Sequence, residues 1–287
     1  MRLPDCQGRI ECMSKLVFLK LGGSLITDKT RPYTVRLERL RALTEEIGST
    51  LAGHQDVKVL LGHGSGSFGH FAVRDHLQGL PNPLEGNADP RAAEAYWRGY
   101  SEVRYRAAEL NQYVMDALHG AGVPAISLQP SAMVRAADGA ISGWDLSTVQ
   151  VALDSGLVPV IYGDIVFDSI RGSMVLSTEA LMIHLAPRLR PQSILLAGIE
   201  AAVWADFPER LHPIDRITPS SFEGVAAKVG GSHGTDVTGG MQAKVADMLS
   251  LVKRMPGLTV QILSGEQDGN VASALGGTGL GTVLASD

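Results

Sequence analysis

A run of glycine and histidine residues at positions 62–70 is the part of this chain best suited to chemistry. It reads Gly-His-Gly-Ser-Gly-Ser-Phe-Gly-His and follows an apolar run at residues 57–61, which predicts a buried strand. Closely spaced glycines after a strand let backbone N–H groups approach an anion, because no side chain holds the anion away. His63 and His70 add donors whose charge can change near neutral pH. The pattern therefore predicts an anion site, suited to a phosphate, rather than a plain turn.

The same run contains the spacing G-x-G-x-x-G, at Gly64, Gly66 and Gly69, which is typical of dinucleotide-binding proteins. That fingerprint also needs a second strand about 20 residues further on, which ends in an acidic residue that binds the ribose. Residues 80–90 contain three prolines and no apolar run, and this composition predicts a loop. The sequence context therefore argues against a nicotinamide-dependent enzyme.

A second element with glycine and lysine lies near the N-terminus. An apolar run at residues 16–21 predicts a strand, and Gly22, Gly23 and Ser24 follow it directly. Lys20 and Lys29 flank this turn, so that small residues and positive charge meet as a polyphosphate requires. The spacing is not that of a Walker A loop. An ordinary strand-to-helix turn with a solvated lysine is the alternative interpretation.

A third element opens a predicted helix in the C-terminal part of the chain. Residues 234–244 read Gly-Thr-Asp-Val-Thr-Gly-Gly-Met-Gln-Ala-Lys, and the apolar spacing over residues 241–252 is helical. Gly239 leaves the first N–H groups of the helix open, and Lys244 lies about one turn further on. A capped helix with an exposed lysine is the alternative. Taken together, the three elements predict a phosphoryl-transfer site without a P-loop.

Several of these segments resemble a known family. Residues 20–29, Lys-Leu-Gly-Gly-Ser-Leu-Ile-Thr-Asp-Lys, resemble the opening motif of the amino acid kinase superfamily, and more narrowly that of the isopentenyl phosphate kinases. Residues 64–70 are similar to the substrate loop of that family, and residues 158–164 and 235–241 match further family segments in the same order. His70 is the most discriminating match, because relatives that phosphorylate carboxylates or carbamate lack it, whereas fosfomycin kinases have a similar histidine.

The resemblance implies an α/β fold, an open three-layer α/β/α sandwich with a mostly parallel sheet. It also implies transfer of the γ-phosphoryl group of ATP to isopentenyl phosphate in isoprenoid biosynthesis, with Mg²⁺ held mainly by phosphates and water and not by a set of protein ligands. The implied catalytic residues are Lys20, Lys29 and His70. The implied substrate contacts are Gly64, Ser65, Gly66, Gly69, His70 and Gly163. The implied ATP contacts are Lys20, Gly22, Gly23, Ser24, Glu179, Gly239 and Lys244.

Two segments depart from the family pattern. Ser-Thr-Glu at residues 177–179 replaces the usual Ser-Gly-Asp, so that Glu179 keeps the charge of the lysine-orienting aspartate but adds a methylene. Residues 198–204, Gly-Ile-Glu-Ala-Ala-Val-Trp, replace Thr-Asp-Val-Asp-Gly-Val-Tyr on the nucleotide side. Two alternatives therefore stay open: a kinase for another small phosphate or phosphonate of the fosfomycin type, and a nucleotide-binding relative with weak catalysis.

The elements that must position these residues alternate along the chain. Helical spacing predicts helices over residues 35–51 and 90–118, and short apolar runs predict strands at 124–128, 158–162, 194–196 and 260–263. Such alternation is typical of a parallel sheet covered on both faces. We expect an N-terminal extension at residues 1–14, a phosphate-acceptor lobe at about 15–180 and a nucleotide lobe at about 181–287.

The composition favours a soluble enzyme. The chain has 287 residues, 45% hydrophobic residues and a net charge of −5, which argues against nucleic acid as a partner. No apolar stretch reaches the roughly 18 residues of a membrane span, and the first residues contain no signal-peptide core. The two cysteines, Cys6 and Cys12, do not make a disulfide framework. We expect a cytoplasmic homodimer with no membrane partner.

Overall fold

The computed structural model describes residues 14–85, 89–226 and 240–287. Its strands are, in chain order, β1 (Lys15–Leu21), β2 (Val57–His63), β3 (Ala125–Ser127), β4 (Val134–Ala137), β5 (Ala140–Trp144), β6 (Val158–Tyr162), β7 (Asp164–Asp168), β8 (Gly172–Leu176), β9 (Ser193–Gly198), β10 (Val203–Trp204), β11 (Pro213–Ile214), β12 (Arg216–Ile217), β13 (Thr259–Ser264) and β14 (Thr282–Leu284). Its helices are α1 (Gly23–Ile26), α2 (Leu37–Gly53), α3 (Gly66–His76), α4 (Pro90–Gly120), α5 (Pro130–Met133), α6 (Ser147–Asp154), α7 (Thr178–Leu189), α8 (Pro219–Ala226), α9 (Gly240–Arg254) and α10 (Asn270–Leu275).

An eight-stranded sheet forms the centre of the molecule, in the order β12-β14-β13-β9-β1-β2-β6-β3. The six strands from β13 to β3 run parallel, whereas β14 pairs antiparallel with β13. Because parallel strands point the same way, the turns that follow β1, β2, β6, β9 and β13 all lie at one edge of the sheet. Ligands of open α/β sheets bind at this edge, outside the carboxyl ends of the strands.

Successive side chains of β1 point to opposite faces of the sheet, and each face is covered by a layer of helices. Leu19 and Leu21 pack in a core with residues of α2, α3, α4 and α10. Phe18 packs in a second core with residues of α6, α7 and α9. Helices therefore cover both faces of the sheet, which confirms the predicted three-layer α/β/α sandwich. Lys20 lies on the same face of β1 as Phe18, and this face is the one covered by α7.

Two small sheets lie outside the central one, in the orders β5-β4-β7-β8 and β10-β11. The sequence did not predict them, because strands of two to five residues with mixed exposure carry little apolar alternation. Asp168 holds two of their turns together: its carboxylate accepts hydrogen bonds from the backbone N–H groups of Asp138, Gly139, Ile170 and Arg171, at 2.8–3.0 Å. Burial by itself raises the pKa of Asp168, but these hydrogen bonds lower it to about 2.

The predicted strands are confirmed, with bounds that differ by no more than two residues. The second helix, α2, begins at Leu37 and not at Val35, because Val35 is held in an antiparallel bridge with Thr27. One continuous sheet contains strands from both expected lobes, and the lobe division stays a prediction. Within the described ranges, no helix is long and apolar enough to cross a membrane.

Candidate active site

Three charged residues from three elements meet at the carboxyl end of β1, and we call Lys20, Glu179 and Lys244 the lysine–glutamate cluster. Lys20 is 7% exposed, and its Nζ donates a hydrogen bond to Oε1 of Glu179. The Nζ atom of Lys244, on α9, lies 3.7 Å from the same oxygen. The fold thus brings together two lysines that are more than 200 positions apart in the sequence.

Local structure explains why Glu179 faces the lysines. Ser177 caps α7, since its Oγ accepts a hydrogen bond of 3.1 Å from the N–H of Ala180. Glu179 therefore lies in the first turn of the helix, where a carboxylate interacts favourably with the helix dipole. Its longer side chain still reaches Lys20, so that the added methylene does not separate the carboxylate from the lysines.

The electrostatics of the cluster keep Glu179 ionised. Burial by itself raises the pKa of Glu179, but the charges of Lys20 and Lys244 lower it to about 2. At neutral pH the cluster therefore contains two ammonium groups and one carboxylate. The excess positive charge suits the phosphates of a nucleotide.

The turns after β1 and β2 lie against each other through their glycines. A Cβ atom at Gly23 would lie 2.5 Å from the backbone nitrogen of Gly66, and one at Gly64 would lie 2.7 Å from the nitrogen of Gly23. The N–H of Gly22 donates a hydrogen bond of 2.7 Å to the carbonyl of Ala197, at the end of β9. The predicted ATP-binding and substrate-binding turns therefore form one continuous backbone surface.

Thr27 joins these two turns, and sequence reasoning did not identify it. Its Oγ1 donates a hydrogen bond of 2.7 Å to the carbonyl of Gly23 and accepts one of 2.9 Å from the N–H of Ser67. Gly66 has a positive φ of 50°, and a Cβ atom there would lie 2.1 Å from that hydroxyl oxygen. A lone threonine carries no spacing signal that would mark it in a sequence.

A second residue that sequence reasoning missed supports the β1 turn from the other side. The Nη1 of Arg36 donates a hydrogen bond of 3.1 Å to the carbonyl of Leu25, near the end of α1. The same guanidinium pairs with the carboxylate of Glu266, in the loop after β13, with one contact of 3.0 Å. Arg36 thereby links α1 to the loop after β13, a strand that lies two positions from β1 in the sheet.

His70 and Gly69 lie on α3, directly after the turn that follows β2, which we call the second glycine turn (residues 64–66). A Cβ atom at Gly69 would lie 2.2 Å from Oγ of Ser65, so glycine at this position leaves room for that hydroxyl group. His70 is half-buried, one turn from the N-terminus of the helix. The N-terminus of an eleven-residue helix favours an anion, and His70 adds a donor beside it.

Gly163 lies in the turn after β6, beside the second glycine turn. Its N–H donates a hydrogen bond of 3.0 Å to the carbonyl of His63, and a Cβ atom at Gly163 would lie 3.4 Å from the nitrogen of Ser65. The hydroxyl group of Thr178 donates a hydrogen bond of 2.6 Å to the same His63 carbonyl. The predicted substrate turns and the first turn of α7 are therefore joined at one carbonyl group.

For two of the predicted site residues, the described part of the chain shows no side-chain contact with the lysine–glutamate cluster or the glycine turns. Lys29 is exposed, in the turn between α1 and α2, and in the described part of the chain no ion pair or hydrogen bond joins it to the lysine–glutamate cluster. Ser24 belongs to α1, and its carbonyl lies 3.5 Å from Nη1 of Arg36. Gly239 falls outside the described residues.

The altered nucleotide-side segment follows β9 at the same sheet edge. There, Glu200 accepts a hydrogen bond of 2.9 Å from Nε1 of Trp204. It also accepts two hydrogen bonds from the guanidinium of Arg210, at 2.8 and 2.9 Å. The acidic residue that remains in this segment is thus bound by protein groups. Among the described residues, no group of three or more His, Cys, Asp or Glu side chains is arranged to hold a metal ion.

Comparison with known proteins agrees with this geometry. Residues 15–264 match the amino acid kinase family. A solved structure of an isopentenyl phosphate kinase superposes on this chain with a TM-score of 0.76 at 29% identity, covering 94% of this chain and 100% of that one. The chain therefore belongs to the amino acid kinase family.

Two relatives with similar sequences narrow the assignment within that family. An isopentenyl phosphate kinase from Methanothermobacter thermautotrophicus is 34% identical over 265 residues, which cover 91% of this chain and 95% of the relative. A second one, from Methanocaldococcus jannaschii, is 31% identical over 273 residues, covering 94% and 98%. Similarity over nearly the full length of both proteins groups this chain with the isopentenyl phosphate kinases of the family.

Proposed function

We propose that this chain transfers the γ-phosphoryl group of ATP to isopentenyl phosphate, giving isopentenyl diphosphate and ADP. The observation that carries the proposal is the contact between the two glycine turns, Gly23 against Gly66, beside the lysine–glutamate cluster. One turn suits the phosphates of ATP and the other suits the phosphate of the acceptor. Relatives similar to this chain over nearly its full length are isopentenyl phosphate kinases.

The chemistry needs little beyond positioning and charge. An oxygen of the acceptor phosphate attacks the γ-phosphorus, and the bond between that phosphorus and the β,γ-bridging oxygen breaks. The attacking oxygen is already anionic, so no strong general base is required. Lys20, Lys29 and Lys244 neutralise charge on the transferring group, and His70 holds the acceptor phosphate with the backbone of the Gly64–Gly66 turn. The lysine–glutamate cluster supports this assignment, since it concentrates positive charge at the sheet edge.

Magnesium belongs to the proposal as a companion of ATP. When bound with ATP, Mg²⁺ would offset the negative charge of the phosphates. We expect the ion to be held mainly by phosphates and water. Removal of Mg²⁺ with a chelator is expected to abolish turnover without unfolding the protein.

The deciding experiment is an ADP-release assay with isopentenyl phosphate as acceptor, with the product identified by phosphorus NMR. Formation of isopentenyl diphosphate supports the proposal. A parallel arm uses a small phosphonate such as fosfomycin, because a similar histidine is expected in kinases of that type. Turnover of the phosphonate alone would replace the proposed acceptor, and ATP binding without turnover of either compound would indicate a nucleotide-binding relative.

We also expect a homodimer that works in the cytoplasm, with acceptor and nucleotide lobes as delimited from the sequence. Light scattering coupled to size-exclusion chromatography measures the mass of the assembly in solution. A mass near that of one 30.4 kDa chain would contradict the dimer. Cell fractionation tests the compartment.

A further inference from the structure

His63 is the last residue of β2 and lies directly beneath the second glycine turn. It is fully buried, with 0% exposure, and its ring stacks on Tyr162 at 5.3 Å between centroids. Its Nδ1 lies 3.2 Å from the carbonyl oxygen of Gly64, and its Nε2 lies 3.3 Å from Oδ1 of Asn111. The Nδ2 of Asn111 lies 2.8 Å from Oγ of Ser127. A polar chain thus runs from exposed Ser127 on β3, through buried Asn111 on α4, to the buried ring of His63 and the backbone of the turn.

Hydrogen-bond chemistry determines which ring nitrogen carries the proton. Burial lowers the pKa of His63 to about 4, so the ring is neutral at pH 7 and has a single N–H. Both ring nitrogens face an oxygen, but the backbone carbonyl of Gly64 can only accept, whereas the Asn111 amide can exchange its oxygen for its nitrogen by rotation, so we place the hydrogen on Nδ1. Nε2 is then an acceptor and needs a donor. Rotation of the Asn111 amide supplies one from Nδ2, and Oδ1 accepts from the hydroxyl of Ser127, because amide oxygen and nitrogen are assigned by such networks.

The direction of the Gly64 carbonyl sets the direction of the next N–H group. A trans peptide holds its C=O and N–H antiparallel in one plane. With the carbonyl of Gly64 fixed toward the buried ring, the N–H of Ser65 points the opposite way. The nitrogen of Ser65 lies beside Gly163, where a Cβ atom would come within 3.4 Å of it. This N–H is therefore aimed between the two turns assigned to the acceptor.

We propose that His63 is a positioning residue for the acceptor phosphate: its Nδ1–H holds the Gly64 carbonyl and thereby directs the N–H of Ser65 at a phosphate oxygen. The inference rests on the proposed function. The backbone carbonyl of His63 also helps to position the acceptor site. It accepts hydrogen bonds from the N–H of Gly163 and the hydroxyl of Thr178, and so holds the turn after β6 against the turn after β2. His63 does not touch the substrate itself.

Two variants separate the two ring nitrogens. Asparagine places its amide nitrogen near the position of Nδ1, whereas glutamine places it near that of Nε2. His63→Gln is expected to raise the KM for isopentenyl phosphate by about tenfold or more, with the KM for ATP unchanged, because the donor to Gly64 is lost. His63→Asn is expected to keep the acceptor KM within about threefold of the wild-type value.

Equal effects of the two variants, or equal changes of both KM values, would overturn the positioning role. Nitrogen NMR of the folded wild-type protein shows directly which nitrogen of the His63 ring carries the hydrogen. This measurement needs neither a variant nor turnover. A ring protonated on Nδ1 is expected, and a neutral ring protonated on Nε2 overturns the inference whichever acceptor the enzyme uses. Absence of isopentenyl phosphate turnover by the wild-type protein, with Nδ1 protonated, would count against the proposed function and not against the hydrogen bond to Gly64.

Discussion

Gly23 and Gly66 lie in direct backbone contact, although 43 positions separate them in the chain. A Cβ atom at Gly23 would lie 2.5 Å from the nitrogen and 2.7 Å from the Cα of Gly66. Both neighbours are backbone atoms, which cannot rotate away as a side chain can. The close approach of the nucleotide turn to the acceptor turn therefore depends on the absence of a side chain at Gly23.

Gly23→Ala is expected to lower kcat/KM by about a hundredfold or more, because the two turns must move apart and misplace the reacting phosphates. Steady-state kinetics on folded protein measures this loss. Gly53→Ala is the matched control, since a Cβ atom at Gly53 meets no atom within 4 Å. Equal activity of the two variants would contradict the close approach.

Glu179→Gln removes the negative charge that Lys20 and Lys244 share. Lys20 is buried, so we expect the free energy of unfolding to fall by about 3 kcal/mol. ATP supplies replacement negative charge, so that it should raise the melting temperature of this variant more than that of the wild type. Urea denaturation and thermal melting measure both effects. Glu179→Asp keeps the charge and is expected to stay close to wild type; an unchanged Gln variant would refute the interpretation.

In the proposed function, His70 donates a charge-assisted hydrogen bond to the acceptor phosphate, and His70→Ala removes this bond, worth about 1.5–3 kcal/mol. We expect kcat/KM for isopentenyl phosphate to fall by at least about tenfold while the circular dichroism spectrum stays the same. His119→Ala, at an exposed position near the end of α4, is the control. Unchanged kinetics of the His70 variant would rule out its contact with the substrate.

Lys29 lies at an exposed turn, and within the described ranges no ion pair joins it to the lysine–glutamate cluster. In the proposed function, Lys29 contacts the transferring phosphoryl group mostly in the transition state. Lys29→Ala should therefore lower kcat more than it raises KM. Lys58→Ala serves as control, because Lys58 pairs with Asp154 at 3.4 Å near the opposite end of β2. A change in KM alone would assign Lys29 to ground-state binding.

Acid should destabilise the protein through His63. Burial lowers its pKa in the folded state from the ordinary 6.5 to about 4, so the unfolded chain takes up this proton at a higher pH. The stability that neutral His63 contributes is complete above about pH 6.5 and is lost as the pH falls toward about 4, by up to about 3 kcal/mol. Urea denaturation across this range measures the loss. His63→Gln lacks the titration and should show a flatter profile, and identical profiles would contradict the assignment.

The glycine turns to which we assign phosphate binding were predictable as turns because their signals are local. Strand-like apolar runs followed by glycines place backbone donors at strand ends whatever the rest of the chain does, and the runs at residues 16–21 and 57–61 became β1 and β2. The apolar period of residues 90–118 likewise became α4. The hairpins of β4, β5, β7 and β8 were not predictable, because short half-exposed strands are stabilised by their pairing partners and not by their own pattern.

The sequence alone shows the chemical types: glycine turns suited to anions, lysines suited to phosphate charge, and helices and strands in alternation. The folded structure determines which of them meet. It brought Lys244 to the same carboxylate as Lys20, fixed Gly23 against Gly66, and buried His63 under Gly64. The physical reason is that strand order in the sheet, and not distance along the chain, sets which strand ends are neighbours: β9 and β2 flank β1, so segments far apart in sequence share one edge.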